Sequence, residues 1–264
     1  MLELPIAKKA LGQHWLTDPA VLAAIVREAD VTADDTVLEI GPGFGSLTKL
    51  LVAQAKQVVA VEFDAMLART LGLAVPVENL KVVHEDILRF DLTSLPEDYK
   101  VVANIPYYLT SNLIRVLSES VRQPSIAVLL VQKEVAERTA AVPGGMSILS
   151  VTAQFYWEVA VGQIVGAALF TPPPKVDSQV LILRRRRSLL FPEVDPQQFF
   201  CLVKAGFAQR RKTLLNSLGA GLSLARGTTQ ELLEAAGLDP GCRAQTLSLD
   251  DWHALYAALA ASQT

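Results

Sequence analysis

Cysteine and histidine are scarce in this chain, and their scarcity removes whole classes of chemistry. The two cysteines, Cys201 and Cys242, stand far apart and outside any CxxC pattern, so neither a disulfide scaffold nor a cysteine zinc site is expected. The three histidines, His14, His84 and His253, are equally scattered. His84-Glu85 opens like HExxH, but Leu88 occupies the place of the second histidine, and no metal is expected. Long apolar runs are missing as well. The longest weakly polar stretch, Val159 to Phe170, has 12 residues and contains Gln163, whereas a membrane span needs about 20. Near the N-terminus Glu3, Lys8 and Lys9 are separated by no apolar run, so neither a signal nor a transit peptide is expected and the protein is placed in the cytoplasm. Internal repeats and low-complexity tracts are absent too.

What is present describes a folded globular chain: 264 residues, 51% of them hydrophobic and 19% charged. That length lies near the size at which one core stops growing, which suggests one large domain with a small appendage. The formal net charge of -3 hides an asymmetry. Between Lys175 and Thr213 stand nine basic residues (Lys175, Arg184 to Arg187, Lys204, Arg210, Arg211 and Lys212) against Asp177, Glu193 and Asp195, so the segment is +6 and the remainder -9. Such a distribution suits a polyanion footprint, and equally a solvated charged face.

From Thr36 onward short apolar runs alternate with helical patterns. The runs are Thr36 to Ile40, Val58 to Glu62, Leu80 to His84, Val101 to Ala103 and Ile126 to Gln132. This alternation reads as parallel strands joined by crossover helices. Gln154 to Val161 and Val176 to Arg184 come without a clear helix between them and are expected to end the sheet in antiparallel fashion. The fold class is therefore α/β with a mixed sheet. After Arg187 the pattern becomes helical: Asp195-Pro196 is an N-cap followed by proline, and Thr228-x-x-Glu231 and Ser248-x-x-Asp251 resemble capping boxes. The expected domains are 1–187 and a small all-helical 188–264, with Ser188 to Val194 as linker.

The first strand runs into Gly41-Pro42-Gly43-Phe44-Gly45, and Ser46 to Ala53 reads as a helix. Glycines let the backbone turn sharply and admit a ligand where a Cβ would collide. The spacing is GxGxG, with Ser46 where a dinucleotide fingerprint has its third glycine, which favours a methionine-derived nucleotide over a pyrophosphate cofactor. The second strand ends at Glu62, placed to accept bonds from ribose hydroxyls, and the third near Asp86, placed to take an adenine amino group. Each acid alone also reads as a loop residue facing water.

The fourth strand ends in Asn104-Ile105-Pro106-Tyr107. Proline pushes Ile105 out of the helical region, which aims the Asn104 amide and the Ile105 carbonyl at one point. Two converging acceptors suit an exocyclic adenine amine, whose lone pair is delocalised into the ring and must be localised before attack. Tyr107 adds a ring face for stacking.

Together these residues resemble the ribosomal RNA adenine N6-dimethyltransferases. Leu11-Gly12-Gln13-His14-Trp15-Leu16 is similar to the family's GQNFL-type motif, Glu39 to Gly45 to its cofactor loop, Asn104 to Tyr107 to NIPY, and Phe207 to Leu218 to F-x-x-RRK-T-L-x-N-x-L. The resemblance runs from about Lys8 to Leu255. Tyr108 to Ser111 and Phe170 to Val176 look most like the small-subunit members. It implies a Rossmann-like methyltransferase sheet in 1–187 and RNA recognition by 188–264, with Arg210, Arg211 and Lys212 as RNA contacts. It also implies S-adenosyl-L-methionine held by His14, Leu16, Gly41, Gly43, Glu62, Asp86 and Asn104, and a target base sandwiched by Tyr107 and Phe170 beside Asn104. The implied substrate is a pair of adjacent adenines near the 3′ end of 16S rRNA in the 30S subunit, modified by a monomer without metal or membrane. His14 is a departure, since the family usually has asparagine there. A 23S rRNA methyltransferase of the macrolide-resistance type and a non-catalytic ribosome assembly factor remain open at this point.

Overall fold

The computed structural model of the chain describes residues 13–262, so Lys8, Leu11 and Gly12 of the resemblance lie outside the described residues. The chain divides into two units, one made of residues up to Ala136 with Glu158–Arg185, the other of Glu137–Trp157 with the chain from Arg186 onward.

In the first unit a two-residue strand, β1 (Trp15–Leu16), precedes α1 (Pro19–Glu28). Asp18 starts that helix: its carboxylate accepts from the Ala20 and Val21 N–H groups, and Pro19 takes the first helical position, where no N–H is needed. The alternation read from the sequence then appears as β2 (Thr36–Ile40), α2 (Ser46–Val52), β3 (Gln57–Glu62), α3 (Ala65–Ala74), β4 (Leu80–His84), β5 (Lys100–Asn104), α4 (Thr110–Glu119) and β6 (Ile126–Gln132). Next come α5 (Lys133–Thr139), α6 (Ile148–Tyr156), β7 (Trp157–Val165), β8 (Phe170–Thr171) and β9 (Ser178–Arg185).

Seven strands form one sheet in the order β4-β3-β2-β5-β6-β9-β7. The first five run parallel, and β9 returns antiparallel to β6, from Ser178 opposite Gln132 to Arg184 opposite Ile126. This is the expected α/β mixed sheet. Its parallel strands are rich in valine because helices cover them: Ile25 and Val26 of α1 and Leu47 and Leu51 of α2 share one core with Val37, Val58, Val102 and Val128. Strand order moves outward from β2 through β3 to β4, then resumes at β5 on the other side of β2. That reversal opens a crevice at the carboxyl ends of β2 and β5.

The helical unit contains α6 together with α7 (Pro196–Phe207), α8 (Leu214–Leu222), α9 (Arg226–Ala235) and α10 (Leu249–Ser262). Aromatic rings build its core: Phe155 lies 5.0 Å from Phe199 and 5.3 Å from Phe200 between centroids, and Phe207 lies 5.7 Å from Trp252. Asp195 caps α7 through the Gln198 N–H, and Ser248 and Asp251 cap α10 reciprocally, as their spacing predicts.

Three expectations change. Gln154 to Tyr156 belong to α6 rather than to a strand, because Ser147 and Ser150 exchange side-chain and backbone bonds that start a helix upstream. That helix carries Phe155 among the aromatics of the second unit, so the sequence-based boundary at residue 187 differs from the observed units, which group Glu137–Trp157 with the C-terminal helices. Finally, Thr228 caps nothing. The α9 helix begins at Arg226, its first turn closed by the Thr229 N–H on the Ala225 carbonyl, so Thr228 lies already inside it.

Two helical glycines give opposite expectations. Nothing lies within 4 Å of a Cβ added at Gly72 of α3, so Gly72→Ala should stabilise the protein, by about 0.5–1 kcal/mol from lost chain entropy. A Cβ at Gly206 of α7 would meet Trp252 at 2.4 Å, and the overpacking should cost about 1–3 kcal/mol. Urea titrations of both variants check the two signs.

Candidate active site

The crevice at the strand reversal collects most of the residues singled out from the sequence. His14, Leu16, Gly41, Glu62, Asn104 and Tyr107 line one cleft. Asp86 lines an adjoining cleft that shares Gly41, Glu62, Phe63, Pro106 and Tyr108 with the first. Gly43 and Phe170 line neither.

The two glycines do different work. Gly41 closes β2 at φ +66°, and a Cβ there would reach only ordinary contact, 3.8 Å from Pro106 Cδ, so its bareness keeps the crevice open. Gly43, at φ +56°, answers to packing: a Cβ would stand 2.4 Å from the Trp15 ring. What Gly43 offers the site is its N–H, which donates to Glu62 Oε2 at 3.1 Å, while the Asp64 N–H donates to Oε1 at 2.9 Å. The carboxylate keeps acceptor capacity beyond these bonds. Burial raises the Glu62 carboxyl above its ordinary range, and these N–H groups hold the rise back. Asp86 is similarly half engaged, its Oδ1 accepting the Leu88 N–H at 3.0 Å.

At the end of β5 the Asn104 Nδ2 donates to the His14 carbonyl at 3.3 Å, which leaves Oδ1 as the acceptor end of the amide. Tyr107 shares a 2.8 Å hydrogen bond with Ser178 Oγ. Burial raises its phenol pKa further, so it stays neutral. The ring of Phe170 is elsewhere than expected. β8 pairs with β1, Phe170 opposite Leu16, and the ring packs with Leu16 and Leu22 in the core, 3% exposed.

Comparison with known proteins decides between methyltransfer and the other readings of such a crevice. A family described as Ribosomal RNA adenine dimethylase matches residues 6–261. The chain belongs to the ribosomal RNA adenine dimethylase family. Among similar curated proteins is the Ribosomal RNA small subunit methyltransferase A of Dehalococcoides mccartyi strain 195, 40% identical over 94% of this chain and 87% of its own length. The protein of that name from Enterococcus faecalis is also 40% identical, over 96% of this chain and 90% of its own length. Among solved structures, a dimethyladenosine transferase from Plasmodium falciparum superposes with TM-score 0.80 at 28% identity, covering 92% of this chain and 96% of that one. The 23S rRNA methyltransferase ErmE does so with TM-score 0.74 at 29% identity, covering 93% and 99%.

The cleft of this dimethylase fits S-adenosyl-L-methionine, the cofactor its motifs imply. The fit rests on a residue that the sequence reading placed in the loop but gave no role, Glu39. It is 1% exposed, lines the cleft, and among the described residues neither carboxyl oxygen has a well-formed hydrogen bond. Burial pushes this carboxyl up to about 8, with Thr48 opposing the rise and Glu62 adding to it. A buried acid so weakly satisfied beside a cleft suits a cationic ligand group, and S-adenosyl-L-methionine carries both an ammonium and a sulfonium. Phe63 and Tyr108, 58% and 64% exposed on the rim of both clefts, were also missed. Exposed aromatics beside a motif are the signal that would have found them.

The basic segment divides. Arg185 pairs with Asp98 and Arg186 donates to the Gln154 carbonyl, so part of the arginine run is committed within the protein. Arg210, Arg211 and Lys212, in the helical unit, are exposed. No helix of the described residues is long and apolar enough to cross a membrane.

Glu39 and Glu62 give separable expectations. Below pH 4.5 folded and unfolded chains both hold the Glu39 proton, and between 4.5 and about 8 only the folded chain does. Stability should therefore fall as pH rises through that window, by at most about 1.4 kcal/mol per pH unit, and level off above it. Glu39→Gln should remove this slope, so its melting temperature gains on wild type between pH 5 and 8.5; a constant difference would mean that Glu39 is charged throughout. Glu62→Ala should weaken cofactor binding about 10- to 150-fold by calorimetry. It should also lower the melting temperature, because the Gly43 and Asp64 N–H groups lose their acceptor.

Proposed function

We propose that this dimethylase methylates N6 of two adjacent adenines near the 3′ end of 16S rRNA, twice each. It would act on the 30S subunit, in the cytoplasm, as a monomer and without metal. The observation that carries the reading is the Asn104 turn: at the strand reversal, beside Gly41, it presents an amide whose NH2 donates to the His14 carbonyl, an orientation that leaves Oδ1 as the acceptor. The choice of the small subunit is supported by relatives at 40% identity named small subunit methyltransferase A, against 29% for ErmE.

When bound, S-adenosyl-L-methionine supplies a methyl group on a sulfonium sulfur. The protein's part is positional. Glu62 and Asp86 would hold the nucleoside of the cofactor, and Glu39 would offset its positive charge. Asn104 Oδ1 and the Ile105 carbonyl accept the N–H groups of the target amine, which favours the pyramidal geometry that attack requires. Tyr107 carries the base on its ring. No strong base is needed, because the amine sheds its proton after it has become cationic. Arg210, Arg211 and Lys212 hold phosphates of the RNA.

Unmethylated 30S and 50S subunits incubated with labelled cofactor test the substrate. N6,N6-dimethyladenosine in 16S rRNA is expected; label confined to 23S rRNA would replace this reading with the macrolide-resistance one. Asn104→Ala should lower the single-turnover rate by at least about tenfold more than it lowers cofactor affinity. Neutralising Arg210, Arg211 and Lys212 should flatten the salt dependence of 30S binding by about 0.7 to 0.9 log units per lost phosphate contact, with cofactor binding intact. An unchanged slope would return those residues to the solvated face.

A further inference from the structure

The imidazole of His14 sits at a junction that its role as a cofactor contact does not explain. Its Nδ1 lies 2.7 Å from the Pro172 carbonyl. A carbonyl only accepts, so Nδ1 carries the proton and is occupied. The same ring stacks on Tyr107, with centroids 5.7 Å apart and planes 22° from parallel. The backbone carbonyl of His14 takes the Asn104 amide at 3.3 Å. One residue thus ties the segment after β8, the Tyr107 ring and the Asn104 amide to the residue preceding β1.

Tyr107 is consequently held at two places. Ser178 fixes its hydroxyl, and the imidazole lies against its ring. Phe170, 3% exposed, lines neither cleft. Rings stacked in this offset, nearly parallel way restrict each other's rotation while leaving the outer face of the pair uncovered. An asparagine at position 14 would supply a donor for the Pro172 carbonyl and no ring.

We infer that His14 is a positioning residue of the methylation reaction: its imidazole backs the Tyr107 ring and sets the plane on which the target adenine lies. The inference rests on the reading of Tyr107 as the platform for the base. It assigns the imidazole to the substrate side of the cleft, and separates its effect on rate from any effect on cofactor affinity.

A double-mutant cycle on the full chain tests it. Single-turnover methylation of unmethylated 30S subunits at saturating cofactor is measured for wild type, His14→Ala, His14→Asn, His14→Phe, Tyr107→Ala and the His14→Ala/Tyr107→Ala pair. Calorimetry gives the cofactor affinity of each, and thermal melts verify folding; if His14→Ala does not fold, His14→Asn takes its place in the cycle. His14→Ala and His14→Asn should slow the reaction about 3- to 10-fold. Their cofactor affinity should stay near that of wild type, and His14→Phe, which keeps a ring, should recover most of the loss. The double variant should be no slower than Tyr107→Ala alone, because a residue acting through Tyr107 has nothing left to act on. Multiplicative losses in the pair would overturn the inference. So would a His14→Phe as slow as His14→Ala, or a His14→Ala that binds cofactor weakly and transfers at the wild-type rate. Wild-type labelling of 50S rather than 30S would overturn the substrate reading alone, and the cycle would then be run on that RNA.

Discussion

The reversal of strand order at β2 is the constraint on which the site depends. A parallel sheet whose helices cross over right-handedly leaves its carboxyl ends open only where successive connections depart to opposite sides. Here that place lies between Ile40 and Asn104. The residues that follow β2, β3 and β5 are brought to one crevice by topology before any of them touches a ligand. Gly41 keeps it unobstructed, and the proline after Ile105 keeps the Asn104 turn from continuing as helix.

Acid burial then gives the crevice its electrical character. Glu39 and Glu62 are carboxyl groups with little water; Glu62 has the Gly43 and Asp64 N–H groups within 3.1 Å to stabilise its charge, whereas Glu39 has only weak support from Thr48. The protein therefore holds one acid poised toward its neutral form and another kept ready as an acceptor. Such a pair costs folding stability, and a cationic nucleoside recovers part of that cost on binding.

Much of this was legible in the sequence because it is local. Glycine spacing, an acid closing each strand and a proline after Asn104-Ile105 are short-range signals, and the structure places Gly41, Glu62, Asp86 and Asn104 around adjoining clefts. What escaped depends on distant partners. Glu39 reads as an ordinary member of Thr-Val-Leu-Glu-Ile, since nothing in that run shows how poorly its buried carboxylate will be satisfied. Phe170 reads as available for stacking, and nothing near it in the chain shows that it will be buried with Leu16 and Leu22, some 150 positions earlier. The arginine run reads as uniform charge, although Asp98 and the Gln154 carbonyl claim two of its members. Helix α6 was lost for a subtler reason: its aromatic and β-branched end has strand propensity, and only the Ser147 cap marks where it begins.

The same α6 has a bearing on how the chain is made. Phe155 emerges from the ribosome more than 40 residues before Phe199 and Phe200, the rings it packs against, and Trp252, which closes on Phe207, follows that ring by a further 45. An early aromatic helix must therefore wait, unsheltered by its native neighbours, while the last strand of the sheet is still being added. The second unit cannot be completed as an afterthought to the first. Its nucleus is laid down inside the sequence of the sheet, and α10 joins a core begun some hundred residues earlier.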